Sequence, residues 1–90
     1  MSKILIVPGL NGSGPDHWQT HWEARLPDCE RVMQADWEHP KRAPWVANLL
    51  TAVDRHPGSI VVAHSLGCAV VANAVKERPQ IKVRAAMLVF

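Results

Sequence analysis

Ninety residues, 48% hydrophobic and 20% charged, suit one globular unit or part of one and are too few for a multidomain chain. Ten Lys and Arg against eight Asp and Glu leave a formal charge of only +2, and the cations are scattered rather than gathered into the stripe that a nucleic-acid-binding surface needs. The first apolar stretch, Ile4 to Val7, stops at Pro8-Gly9, short of the roughly 7–15 residues of a signal-peptide core and the roughly 20 of a membrane span, so a cytoplasmic protein away from membranes is expected.

Taken in chain order, Lys3 to Val7 is a continuous β-branched and leucine run, the pattern of a strand buried on both faces of a parallel sheet. After the loop residues Leu10 to Gly14, Ser13 with Pro15 and Asp16 predicts a helix start, and Trp18, Trp22 and Leu26 at i, i+4 and i+8 predict one apolar helix face ending before Pro27-Asp28. Arg31 to Ala35 is a weaker strand signal, followed by a loop through Asp36, Trp37 and Pro40. Trp45, Leu49 and Val53, with Val46 and Leu50 alongside, predict a second helix closed by His56-Pro57-Gly58. Ser59 to Ala63 is another buried-strand run, Ser65 to Lys76 a helix of small and β-branched residues, and Arg84 to Phe90 a fourth apolar strand.

Strands alternating with helices predict the α/β class, an open parallel sheet of about four strands covered by helices on both faces. The chain stops on Met87-Leu88-Val89-Phe90, whereas domain ends are usually polar and at the surface, so residues 1–90 are expected to be the N-terminal part of a single domain cut before its last strands. Cys29 and Cys68 lack both C-x-x-C spacing and the density of a disulfide scaffold, and read as reduced thiols.

The chemistry concentrates at Val61-Val62-Ala63-His64-Ser65-Leu66-Gly67, where a serine stands between a buried strand and a small-residue helix. That is the setting of a nucleophile elbow, G-x-S-x-G, with Ala63 in place of the first glycine. The positions two before and two after the serine must be small because the turn is sharp and neighbouring backbone is close. At the N-terminus of a helix, Ser65 would meet unpaired N–H groups that favour developing negative charge, which makes the Leu66 N–H an oxyanion donor. The glycine-rich loop after the first strand would supply a second donor, assigned to Leu10 with Asn11 as the alternative. The plainer reading of Ser65 is a helix N-cap, common at such junctions without catalysis.

Val7-Pro8-Gly9, Asn11 to Pro15, His17-Trp18-Gln19, Gln34-Ala35-Asp36-Trp37 with Pro40 and Trp45, and His64-Ser65-Leu66-Gly67 together resemble the small serine hydrolases of the retinoblastoma-binding-protein-9 and YdeN type. The resemblance covers nearly the whole chain. It implies a compact α/β-hydrolase acting on small ester or amide bonds through a Ser-His-Asp triad in chains about twice as long. It also implies the spatial strand order 2-1-3-4, which puts Leu10 and Ser65 together at the topological switch point. Ser65 matches the nucleophile, while the family's Asp and His follow on later strands that lie beyond this chain.

Within the chain, His64 leaves the strand end on a different side from the serine hydroxyl and is poorly placed as its base. His17 and His21 sit four apart on a predicted helix, but Trp18 stands where the zinc-protease motif requires Glu, so no metal is expected. Asp16 and Asp36 read as a cap and a turn residue, and Asp28 and Asp54 as solvated surface. Trp37, in its loop, is the tryptophan expected near a substrate pocket, with Asn11 and His64. Gly9, Gly12 and Gly14 run G-x-x-G-x-G with no following Lys-Ser/Thr, which argues against nucleotide binding, and no cofactor is expected. A non-catalytic alternative remains, in which the fourth strand's exposed edge mediates self-association.

Overall fold

The computed structural model describes residues 3–9, 14 and 17–89. Strands β1 (Ile4–Val7), β2 (Cys29–Arg31), β3 (Ser59–His64) and β4 (Val83–Val89) alternate with helices α1 (Trp18–Arg25), α2 (Arg42–Arg55) and α3 (Leu66–Glu77). All strand pairs are parallel and the order is β2-β1-β3-β4, as expected. Right-handed crossovers require α1, which connects strands stepping one way, to lie on the opposite face from α2 and α3, which connect strands stepping the other way.

The central strands are buried on both faces because they read as unbroken apolar runs. Leu5, Val7, Val61 and Ala63 belong to a cluster with Trp45, Val46, Leu49 and Val53 of α2 and Cys68, Val71 and Ala74 of α3. Ile6 and Val62, pointing the other way by strand alternation, are 0% and 3% exposed. Each such Leu, Ile or Val withdrawn from water contributes about 1.5–3 kcal/mol, so α2 is fixed by its Trp45-Leu49-Val53 row.

Two expectations are corrected. The second strand is Cys29–Arg31, in register with Ile4 to Ile6, and begins two residues before the apolar signal. As an edge strand it is only half-buried and needs no apolar run. Asp28 makes the tight entry at φ 58°, so it shapes the turn as well as facing solvent. The other correction concerns α1: its buried residue is Gln19, whereas Trp22 is 37% and Leu26 39% exposed. Trp18 and Trp22 stack on each other edge to face at 5.2 Å, with Trp18 half-buried against His64 and Trp22 exposed. The expected starting residues Ser13, Pro15 and Asp16 lie outside the described residues; the observed N-cap is His17.

β4 pairs with β3 alone among the described residues, and Arg84 to Leu88 are exposed. Both cysteines are free thiols, with Cys68 buried. No described helix is long and apolar enough to cross a membrane, and no three His, Cys, Asp or Glu among the described residues gather as metal ligands.

Candidate functional site

β3 delivers the chain to Ser65 at its carboxyl end, and α3 leaves immediately afterwards. Between them Ser65 adopts φ 55° and ψ −122°, a conformation that residues with a Cβ rarely enter and that costs on the order of 1–3 kcal/mol. Its side chain makes no capping hydrogen bond, and the residue is exposed. A serine serving as an N-cap would sit in the extended region and accept an N–H from the first turn. Here the turn is held by backbone bonds instead: Ser65 N–H donates to Val89 O at 2.8 Å, and Cys68 N–H donates to Ser65 O at 2.9 Å. The hydroxyl is left facing outward.

The neighbours of this turn explain its small residues. A Cβ on Gly67 would collide with the carbonyl oxygen of Val7 and approach Pro8 O to 3.1 Å, so only glycine lets α3 start against the end of β1. A Cβ on Gly9 would lie 3.1 Å from Leu66 N, 3.1 Å from His64 O and 3.3 Å from Ser65 Cβ. The chain after β1 therefore runs directly over the elbow, and Gly9 keeps the space at Leu66 N–H open. Leu66 N–H, the first donor of α3, has no acceptor within the helix, as expected of a helix N-terminus. Leu10 and Asn11 lie outside the described residues.

Gln19 locks this arrangement from the α1 face. Fully buried, it donates from Nε2 to Val62 O at 3.1 Å and to Val7 O at 3.4 Å, tying the carboxyl ends of β3 and β1 together next to Ser65. No signal in the sequence separates this glutamine from a solvent-facing one. Its burial is possible because those strand-end carbonyls accept its amide in addition to their ladder bonds. Gln19 N–H is in turn capped by His17 Nδ1 at 3.1 Å.

The His17 ring lies 4.4 Å from that of His64, nearly edge on, and Trp18 sits 5.9 Å from His64. Burial, then the nearby His64 and Arg31, push the His17 pKa below the ordinary histidine range. Protonating Nδ1 would also forfeit the cap, so the neutral ring carries its proton on Nε2. His64 thus faces an aromatic cluster beside the elbow. His21 is exposed on α1.

The remaining His–carboxylate pairs lie elsewhere. His39 Nδ1 meets Asp36 Oδ2 at 3.0 Å in an exposed turn where Asp36 Oδ1 accepts the N–H groups of Glu38 and His39. His56 meets Glu30 at 3.4 Å, just ahead of β3 and so about 20 Å from Ser65 along a six-residue strand. Trp37 is half-buried and stacks edge to face on Trp45 at 5.6 Å. Trp45, not Trp37, lines a cavity of about 210 Å³ between the starts of α2 and α3, which also reaches Leu66.

This arrangement can hold an exposed hydroxyl at the positive end of a helix, beside an open N–H, which is the equipment for attack on a carbonyl. A family profile described as serine hydrolase matches residues 4–90. A crystal structure from Pectobacterium atrosepticum SCRI1043, described as a YdeN-like hydrolase, is 29% identical and superposes with a TM-score of 0.89 over 98% of this chain. The chain spans 48% of that protein's length. No curated protein matches the chain.

Proposed function

The chain belongs to the serine hydrolase family, and from that premise we propose that it carries the nucleophilic half of a hydrolase for small ester or amide substrates, with Ser65 as nucleophile. The observation that carries the reading is the Ser65 backbone at φ 55° with its hydroxyl unused as a cap. A strained, exposed serine is the outcome expected of an elbow and not of a cap.

In this mechanism a base takes the Ser65 Oγ proton as Oγ bonds to the substrate carbonyl carbon. The oxyanion is held by Leu66 N–H and by the loop after β1, through Leu10 or Asn11. Collapse breaks the ester or amide bond, and the alcohol or amine departs with the proton; water then releases the acid and frees Ser65. Among the described residues no His–carboxylate pair stands beside Ser65, so the proposal assigns the triad's Asp and His to sequence beyond residue 90. That assignment is supported by the relative of about twice the length. Residues 1–90 alone should then turn over little or no 4-nitrophenyl acetate beyond the Ser65→Ala background. Sustained turnover lost in Ser65→Ala would refute the split triad, and sustained turnover well above the buffer rate that Ser65→Ala retains in full would refute the nucleophile.

A second reading, self-association without catalysis, is favoured by β4, where Met87 is 39% and Leu88 42% exposed along a strand that, among the described residues, is paired on one side. Sedimentation of the 90-residue chain separates the two: a strict monomer counts against edge pairing.

A further inference from the structure

The helices run antiparallel to the strands they connect, so the starts of α2 and α3 share one rim with the carboxyl ends of β1 and β3. The cavity of about 210 Å³ lies on that rim. Its wall is apolar, formed by Trp45 and Val46 of α2 and by Leu66 and Val70 of α3, and its other side is formed by Lys41 and Arg42. Leu66, the residue after Ser65, belongs to this wall, so the cavity borders the elbow.

Both cations are exposed, and neither has a carboxylate partner among the described residues. Arg42 is oriented by its Nε, which donates to Asn73 Oδ1 at 3.0 Å across the cavity from α2 to α3. The first turn of α2 contains no acidic residue that would offset them. An apolar slot that borders the elbow at Leu66 and is lined by two cations without a carboxylate partner among the described residues fits an apolar segment with a negative terminus.

We propose that this cavity takes the acyl part of the substrate, and that the preferred substrate is an ester or amide of a short aliphatic acid ending in a second, anionic group such as a carboxylate. The carbonyl lies at Ser65, the methylene chain between Trp45 and Val70, and the anion at Lys41 and Arg42. This rests on the reading of Ser65 as nucleophile.

The test compares Ser65 labelling, in the chain extended through the proposed triad Asp and His, by a pentyl fluorophosphonate and by its carboxybutyl analogue, followed by intact mass. In both reactions Ser65 Oγ bonds to phosphorus, fluoride leaves and the serine proton passes to solvent. The carboxylate probe is expected to label about fivefold or more faster at low ionic strength, since each exposed contact is worth a factor of a few. The ratio should fall towards one in 0.5 M salt and below one in Lys41→Glu/Arg42→Glu. Equal rates for the two probes, or an unchanged ratio in the double variant, overturn the proposal.

If neither probe labels Ser65, the hydrolase reading has failed, and the cavity is then judged without it. Titration with pentanoate and with pentanamide, followed at the Trp45 indole N–H by NMR, should give at least about fivefold tighter binding of the anion. Equal binding, or none, overturns the cavity assignment.

Discussion

Replacing Gly67 with alanine sets two effects of opposite sign against each other in one residue. Alanine in place of glycine inside a helix ordinarily gains about 1 kcal/mol, so α3 taken alone would be stabilised. The new Cβ, however, runs into the carbonyl oxygen of Val7 and comes within 3.0 Å of Val7 C and 3.1 Å of Pro8 O. These are backbone atoms at the end of a strand paired on both sides, so no side chain can rotate away and α3 itself must shift. Overpacking costs about 1–3 kcal/mol where side chains can adjust and more where they cannot, which outweighs the helix gain. Gly67→Ala should therefore lose a net 1–2 kcal/mol or so, lowering Tm by roughly 5–15 °C for a domain of this size. Urea unfolding by circular dichroism measures it, with exposed Ala69→Gly in the same helix as the propensity control. A Gly67→Ala protein as stable as its parent would refute the close contact between the elbow and β1.

Other expectations follow from the same geometry. Ser65→Gly should be more stable than Ser65→Ala by about 1 kcal/mol, because relieving about 1–3 kcal/mol of strain exceeds the entropy cost of glycine; the reverse order in urea midpoints would remove the strain argument. Gln19→Leu removes the amide donor that Val7 O and Val62 O accept in addition to their ladder bonds, and should cost about 1 kcal/mol; no measurable loss would show that Gln19 does not tie the strands. His17 has a folded pKa below its ordinary 6.5, so the unfolded chain binds the extra proton as pH falls past that value. Its contribution is present above pH 6.5 and lost towards the lower folded value. The parent's urea midpoint should fall more between about pH 7.5 and 5 than that of His17→Asn, which keeps a capping side chain without titrating; parallel falls would contradict it.

The strands buried on both faces were legible because burial demands unbroken apolar runs, as in Leu5-Ile6-Val7 and Val61-Val62-Ala63. The sheet order followed from the resemblance. β2 was misplaced because Cys29-Glu30-Arg31 lies half-buried at an edge, where pairing with Ile4 to Ile6 and not hydrophobicity decides the strand. Gln19 was hidden for a related reason: helical periodicity rewards Trp18, Trp22 and Leu26, yet the atoms that meet α1 at the sheet end are carbonyls able to accept an amide. The Ser65 motif was legible, but whether its serine caps the helix or strains the turn depends on φ and ψ, which composition does not encode. The cavity could not be read either, since it joins Lys41 to Val46 with Leu66 to Asn73 across two helices.

Ser65 is the proposed reactive group, and mapping the site of phosphonylation tests that role most directly. After exposure of the chain extended through the proposed triad Asp and His to a small, uncharged fluorophosphonate, peptide mass spectrometry should place a single adduct on Ser65, and Ser65→Ala should carry none. An unmodified chain after prolonged exposure, or an adduct that persists in Ser65→Ala, would contradict it.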